Sequence, residues 1–552
     1  MRPWIAAALV AFAVSAPAPS AERAPEVVLG CQQEPDGLDD LFSQMSSGAE
    51  VRGCISEGLA ERDDRWVLRP ALATEIPSFQ NGGWTVERRD GKVVRMKTVW
   101  RLKENLRWSD GQPLSSKDFE FAWRVKMDPK VTGITTRTVE EKIGGIECPD
   151  DRTLIVHWKA PYAYADEGPH LALPRHVVEP LYKAAPEKLE TRPEIRTVPL
   201  SNGPYMIASP DWKKKAVIEL VLNPHWNGEK PRLQRIVYRF ITDSNTLVSA
   251  FDAAQTDAIT TVGVTMPQGL DIDRRKDPDV RVFFTPGMAW EHIDCNLDSP
   301  ILADKRVRQA LLYGMDREKI VKALFEGKQA EAHSWLPPKH YGFHPEIKRY
   351  GFDPGRAKAL LEEAGWKAGV SGVREKDGKP LRLTLMTTSG NEVRQQVSEI
   401  LQAQWRAIGV GLEIQTQVST TFFGDTNRKR KFPHLAMYAW TFGPSSDGEN
   451  LWTKDRIPSE KNRWTGDNTC GWIHDEASEI DARIPMTLEK EERVRLFRRE
   501  QEIWADELPA LPLYFRADVT VRRRGLLEWR PTGSLDPVTW NCESWRWGEE
   551  KE

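Results

Sequence analysis

Hydrophobic positions in this chain follow two rhythms. Over 198–246 they alternate with polar ones. Tyr205 and Ile207 follow the turn sequence Asn202-Gly203-Pro204, a β-rich run covers 216–222, and Ile236, Tyr238 and Phe240 face one way, which predicts three strands. Asn223-Pro224 and Asn227-Gly228 close those strands off. Further strands are expected at 26–31, 99–102, 153–158, 293–296 and 432–440. Elsewhere apolar residues recur every three or four positions. Ser115 and Asp118 form a capping arrangement before a helix with Phe119, Ala122 and Trp123 on its apolar face. Val307, Ala310 and Leu311 mark a second helix, and Asp316 caps a third that buries Ile320, Val321, Leu324 and Phe325 and stops at Gly327. Asp353-Pro354 opens a fourth, striped by Ala357, Leu360, Leu361 and Ala364. A strand at 381–386, a helix with Val393, Val397, Ile400, Leu401, Trp405 and Ile408, and a strand with Val410, Leu412 and Ile414 predict a parallel β-α-β unit.

Several of these elements carry longer patterns. Gly203-Pro204-Tyr205 leads to a strand ending Asn-Pro-x-Trp and then to GxKPxLxxIVYRFIxDxNT. WRLKENLRWSDGQPLSSKD covers 100–118, LALPRHV covers 171–177, DKRVRQAL covers 304–311 and DPGRAKALLEEAGW covers 353–366. Together they resemble the extracellular solute-binding proteins of peptide-type ABC importers, family 5. One departure is Gln255, which stands where an L-x-x-G-x-x-D element of the family usually has glycine. The resemblance implies a mixed α/β, periplasmic-binding-protein-like fold of class II type: two main lobes plus an inserted third lobe, with a hinge and a central ligand cleft. Lobe I is expected from 27–70, 198–285 and 510–552, the inserted lobe II from 71–197 and lobe III from 286–509.

Composition narrows the compartment and the partners. Hydrophobic residues make up 40% and charged residues 29%, the balance of a globular protein. With 78 basic and 81 acidic residues the net charge is −3, which argues against nucleic acid as a partner. Arg2, an apolar run over 4–14 and small residues up to Ala21 have the shape of a secretory signal at 1–21, so a periplasmic mature protein is expected. Val28-Leu29-Gly30-Cys31 faintly resembles a lipoprotein box, but charged residues separate it from the apolar run; a first β-strand is the preferred reading over a lipid anchor. Six cysteines lie at 31, 54, 148, 295, 470 and 542 with no CxxC spacing, so a zinc ribbon or thioredoxin-like centre is not indicated. Pairing is expected in an oxidising compartment, with Cys31–Cys54 and Cys470–Cys542 as the guessed bridges.

No catalytic template is present: no nucleophile elbow, HExxH, P-loop or dinucleotide fingerprint, and the ten histidines do not cluster. Asp110 reads as a turn residue and His176 as structural. Binding without turnover is therefore expected, with no cofactor and no metal. The resemblance points to the segment after the 432–440 strand, where an aspartate in peptide-binding relatives pairs with the ligand's α-ammonium. Asp447 matches best here, although Gly448 replaces the usual proline and Gly443 occupies an earlier acidic position. An Asx-turn is the competing role for Asp447. Trp440 and Trp452 are expected as cleft walls or core; Ser201, Asn202, Gly203 and Tyr205 adjoin the cleft in relatives, and Phe422 and Phe423 are further wall residues. The implied function is a monomeric receptor that captures short peptides and delivers them to an inner-membrane ABC permease. An excess of Trp, 22 against 10 Tyr, keeps open an oligosaccharide or other small solute, and a secreted hydrolase with an aromatic groove is the alternative from another class.

Overall fold

The computed structural model describes residues 25–534 and 536–550; the expected secretory signal lies outside the described residues. Its strands and helices, in chain order, build two sheets of different character.

The chain opens with β1 (Glu26–Cys31) and α1 (Ser46–Ile55). A four-stranded antiparallel sheet follows, made of β2 (Trp84–Arg89), β3 (Lys92–Arg101), β4 (Ile143–Glu147) and β5 (Thr153–Trp158) in the order β2-β3-β5-β4. Strand β5 alternates as read, with Leu154, Val156 and Trp158 buried. Against it packs α2 (Ser116–Met127), which starts at the expected capping box of Ser115 and Asp118. Trp100, Phe119, Leu154 and Val156 centre one hydrophobic core.

The chain then returns to β1. Strands β6 (Tyr205–Ile207), β7 (Val217–Leu222) and β8 (Arg235–Phe240) extend an antiparallel run, and β8 pairs parallel with β1. After α3 (Ser244–Asp252), β9 (Ala258–Ile259) covers the other side of β1. A second core gathers Val27, Leu29, Tyr205, Ile236 and Tyr238. β1 is thus a central strand paired on both sides, and Cys31 ends it with no exposed surface.

Strand β10 (Val280–Cys295) is 16 residues long. After it come α4 (Lys305–Tyr313), α5 (Arg317–Phe325) and α6 (Pro354–Glu363), whose caps are Asp304, Asp316 and Asp353, each accepting a backbone N–H. The expected β-α-β unit is present: β11 (Arg382–Thr388), α7 (Glu392–Ala407) and β12 (Gly411–Gln417), with β11 and β12 parallel. Strand β13 (Leu435–Thr441), helix α8 (Lys490–Glu507) and strand β14 (Ala510–Arg523) complete the large elements. The third core holds Trp290, Ile293, Leu311, Leu361, Leu401 and Trp405.

All strands outside the small sheet that matter here lie in one eleven-stranded sheet, ordered β12-β11-β13-β10-β14-β9-β1-β8-β7-β6 along its main path. Strands β10 and β14 run antiparallel through its middle. Residues 280–286 of β10 pair with 517–523 on the side facing β9, and residues 290–294 pair with 510–515 on the side facing β13. The two cores on either side are joined by this strand pair.

The cysteine pairings expected from sequence are not formed; all six are free thiols. The Cys31 thiol turns to the carbonyls of Gln33 and Val262 instead of Cys54. Cys54 lies beside Cys542, and Cys470 lies beside Cys295. The guesses failed because partners are chosen by contacts between α1 and the C-terminal turn and between β10 and the 470 loop, which sequence distance does not reveal.

Candidate functional site

The strand pair β10/β14 breaks register between Pro286 and Trp290. Gly287 sits in the break. A Cβ there would lie 2.6 Å from the Arg516 carbonyl oxygen, so the close approach of the two backbones requires glycine. Just past the break, Glu291 is fully buried and accepts from Arg394 Nε at 2.6 Å and Arg516 Nε at 2.9 Å. Burial by itself raises the Glu291 pKa, but the two guanidinium groups outweigh it and hold the carboxyl below its ordinary range. One residue pair further on β14, burial pushes Asp518 up to about 6 against the opposing charges of Arg516 and Lys339.

Beside this crossing, three distant segments meet at one point. Arg62 Nη2 contacts the Glu167 carboxylate and donates to Ser445 Oγ at 2.7 Å, and the Ser445 hydroxyl itself contacts Glu167. Arg62 precedes the small sheet, Glu167 follows it, and Ser445 is in the loop after β13. Nearby, Tyr164 and Tyr341 join hydroxyls at 3.1 Å, Ala163 N donates to Pro485 O at 2.7 Å, and the Arg493 guanidinium lies 5.8 Å from both tyrosine rings. Lys339 Nζ bridges to the carbonyls of Thr532 and Asp64. These contacts form a latch that ties the small-sheet body and the β13 body to each other and to Arg62, Asp64 and Thr532 of the body built around β1.

The latch closes over a cavity of about 380 Å³. Arg52, Glu57 and Trp540 come from the β1 body, Glu167 and His170 from the small-sheet body, and Pro444 from the β13 body. A second cavity of about 210 Å³ shares Glu57, Glu61, Arg62 and Trp540 with it and continues to Lys103, Asn202 and Trp226. Volumes of this order suit small-molecule clefts.

A family model described as "Bacterial extracellular solute-binding proteins, family 5 Middle" matches residues 67–456. The chain belongs to this family. The oligopeptide-binding protein OppA of Bacillus subtilis is 25% identical over 505 residues, covering 88% of this chain and 86% of its own length. The crystal structure of the oligopeptide-binding protein of Thermus thermophilus, complexed with a pentapeptide, has a TM-score of 0.71 at 28% identity and covers 96% of this chain and 98% of that one. NikZ of Campylobacter jejuni, in complex with Ni(L-His), superposes with a TM-score of 0.73 at 22% identity over 95% of this chain and 99% of that one, a likeness of fold. The multi-lobe, periplasmic-binding-protein-like architecture is thus that of this chain.

Within this family-5 fold the residues singled out from sequence separate into three groups. Asn202 works as a clamp: its side chain accepts from Glu57 N and donates to Glu57 O, both at 2.9 Å, and so fixes the backbone of a cavity residue. Ser201 is buried beside it, and Gly203 packs so closely on the end of α1 that a Cβ would meet the Ile55 carbonyl carbon at 2.8 Å. Tyr205, expected to adjoin the cleft, has no exposed surface and donates its hydroxyl to Leu233 O at 2.9 Å inside the second core. Trp452, expected as cleft wall or core, is 2% exposed in a cage with Trp290, Trp335, Trp472 and Trp504. Phe422 is likewise buried, packed on Phe432 and Tyr438, whereas Phe423 is 42% exposed. Trp440 is half-buried on β13 opposite Trp290.

Asp447 is half-buried at the latch rather than in the wall of either cavity. Burial raises the Tyr162 hydroxyl, with Glu167 and then Asp447 adding to it, and the Tyr164 hydroxyl, with Tyr341 and then Asp447; burial and then Asp447 raise the Glu500 carboxyl. His176 and Asp110, read as structural, hydrogen-bond each other at 2.7 Å. The residues that sequence reading missed are Arg62, Glu167, Ser445, Glu57, Glu61, His170, Asp536 and Trp540. Even Glu57, which adjoins the expected Asn202 segment, meets it only through a fold-level contact across 145 positions that no local spacing reveals.

Proposed function

We propose that this chain is a periplasmic, monomeric receptor that captures short peptides between its lobes and delivers them unchanged to an ABC permease. The observation that carries the reading is the latch of Arg62, Glu167 and Ser445, which draws three bodies of the fold together over the 380 Å³ cavity. A solute touching more than one body favours the closed arrangement by the contacts it makes with each, and β10/β14 supplies the hinge. The closed form is the one the permease recognises. Peptides are favoured over other solutes by the oligopeptide-binding relatives, one of which holds a pentapeptide. Lobe I is assigned to 27–70, 198–285 and 510–552, lobe II to 71–197 and lobe III to 286–509. Asp447 is assigned to the ligand's α-ammonium at the rim of the closed cleft.

Thermal unfolding in the presence of di- to pentapeptide pools and of oligosaccharide pools tests the reading. A ligand that binds only the folded state stabilises it by about 2.7 kcal/mol at roughly 100 times its Kd. Stabilisation by peptides, with the peptides recovered intact, is expected; stabilisation by oligosaccharides alone, or altered peptides, contradicts it. Asp447→Asn is expected to weaken peptides with a free amino end more than their acetylated forms, and equal loss removes Asp447 from the contact.

A further inference from the structure

The wall of the larger cavity is unbalanced in charge. Its cations are already engaged: Arg62 with Glu167, and Arg52 with the Asp39 carbonyl at 3.0 Å and the Asp40 carboxylate at 3.6 Å. The remaining acids, Glu57, Glu61 and Asp536, form no ion pair among the described residues: Glu57 accepts from the Trp226 indole at 3.0 Å and Asp536 from Ser534 Oγ at 2.8 Å. Burial pushes the Glu57 carboxyl up to about 7, with Glu543 adding to the rise and Lys103 opposing it. Burial raises Glu61 as well, and its charged neighbours Glu57, Glu543 and Asp536 all act in the same direction. Trp540 lines both cavities next to these acids, and its indole N–H is spent on Arg530 O at 2.9 Å, so what it offers a solute is its ring. A partly open cavity with surplus carboxylates and an aromatic ring is matched to a cation, by ion pairing and by attraction to the ring face.

We propose that this chamber selects solutes that carry a positive charge, in the first place peptides with a lysine or arginine side chain, held by Glu57, Glu61 and Asp536 beside Trp540. The proposal rests on the receptor reading above and specifies the ligand class of that same cleft. A bound cation offsets the surplus carboxylate charge and favours the ionised carboxyls. The charged and titratable groups facing the chamber are the acids Asp40, Glu57, Glu61, Glu167 and Asp536, with Arg52, Arg62 and His170. Affinity for cations therefore falls as acidification protonates Glu57 near pH 7, and Glu61 and Asp536, whose carboxyls burial also raises, act in the same direction; burial lowers His170, which stays neutral through this range.

Isothermal titration of the mature full-length chain at pH 8 tests this with Ala-Lys-Ala, Ala-Arg-Ala, Ala-Ala-Ala and Ala-Glu-Ala, and with the non-peptide cations arginine amide and spermidine. The basic tripeptides are expected to bind about tenfold or more tighter than Ala-Glu-Ala, and Glu61→Gln to shrink that preference to about threefold or less while Ala-Ala-Ala is little changed. Asp536→Asn reads out the same loss if Glu61→Gln does not fold. Equal affinity for basic, neutral and acidic tripeptides overturns the proposal and leaves the peptide receptor standing. If no tripeptide binds, the peptide reading fails, and the two small cations decide the charge proposal: binding that Glu61→Gln abolishes upholds it, and no binding of either overturns it.

Discussion

At the scale of single residues, the fold stakes most on charges that water does not reach. Glu291 is held between Arg394 and Arg516 where the crossing strands leave the hinge. Truncating one member of such a buried network strands the others, so Glu291→Ala is expected to cost about 3–5 kcal/mol in denaturant unfolding. Because its folded pKa lies below the ordinary 4.5, the network's contribution is present above that pH and is lost as pH falls through the lowered value. Glu50 behaves oppositely. It is buried, accepts from Thr261 Oγ1 at 2.6 Å, and is pushed from 4.5 up to about 7 by burial. The folded state then holds its proton more tightly than the unfolded chain, so Glu50's own contribution is fully present below about pH 4.5 and is lost as pH rises through about 7. Glu50→Gln is expected to raise the melting temperature relative to the native chain at pH 8 and not at pH 4.5; an equal shift at both pH values contradicts the assignment. Few of these residues announce themselves in the sequence. Arg62 meets Glu167 across 105 positions and Ser445 across 383, so no local spacing marks them.

At the scale of elements the chain is far more readable. Periodicity and caps act between neighbours, and Asp304, Asp316 and Asp353 each open a helix as their sequence contexts imply. The alternation at Ile236, Tyr238 and Phe240 puts all three inside. What alternation does not tell is which buried face belongs to a core and which to a cleft. Tyr205, expected to adjoin the cleft, and Trp452, expected as cleft wall or core, both lie in cores. The element that matters most for motion is the β10/β14 pair, where Gly287 permits the register break. Gly287→Val drives a side chain into the Arg516 backbone and is expected to destabilise the protein by about 1–3 kcal/mol, read from the midpoint of urea unfolding. An unchanged midpoint contradicts the close approach of the two strands.

At the scale of the whole molecule, membership of family 5 was legible because its motifs are spread along the chain, from the 100–118 segment to the 353–366 helix. The geometry of the cleft was not, since it arises where three bodies close on one another and each contributes residues from unrelated stretches. The central claim is that a solute is taken up between those bodies and draws them together about a hinge. Small-angle X-ray scattering of the mature chain, titrated with a peptide that stabilises it, tests this most directly. The account predicts a radius of gyration that falls as the peptide saturates the protein and returns when the peptide is removed by dialysis. A radius of gyration that stays the same from free to fully bound protein would contradict it.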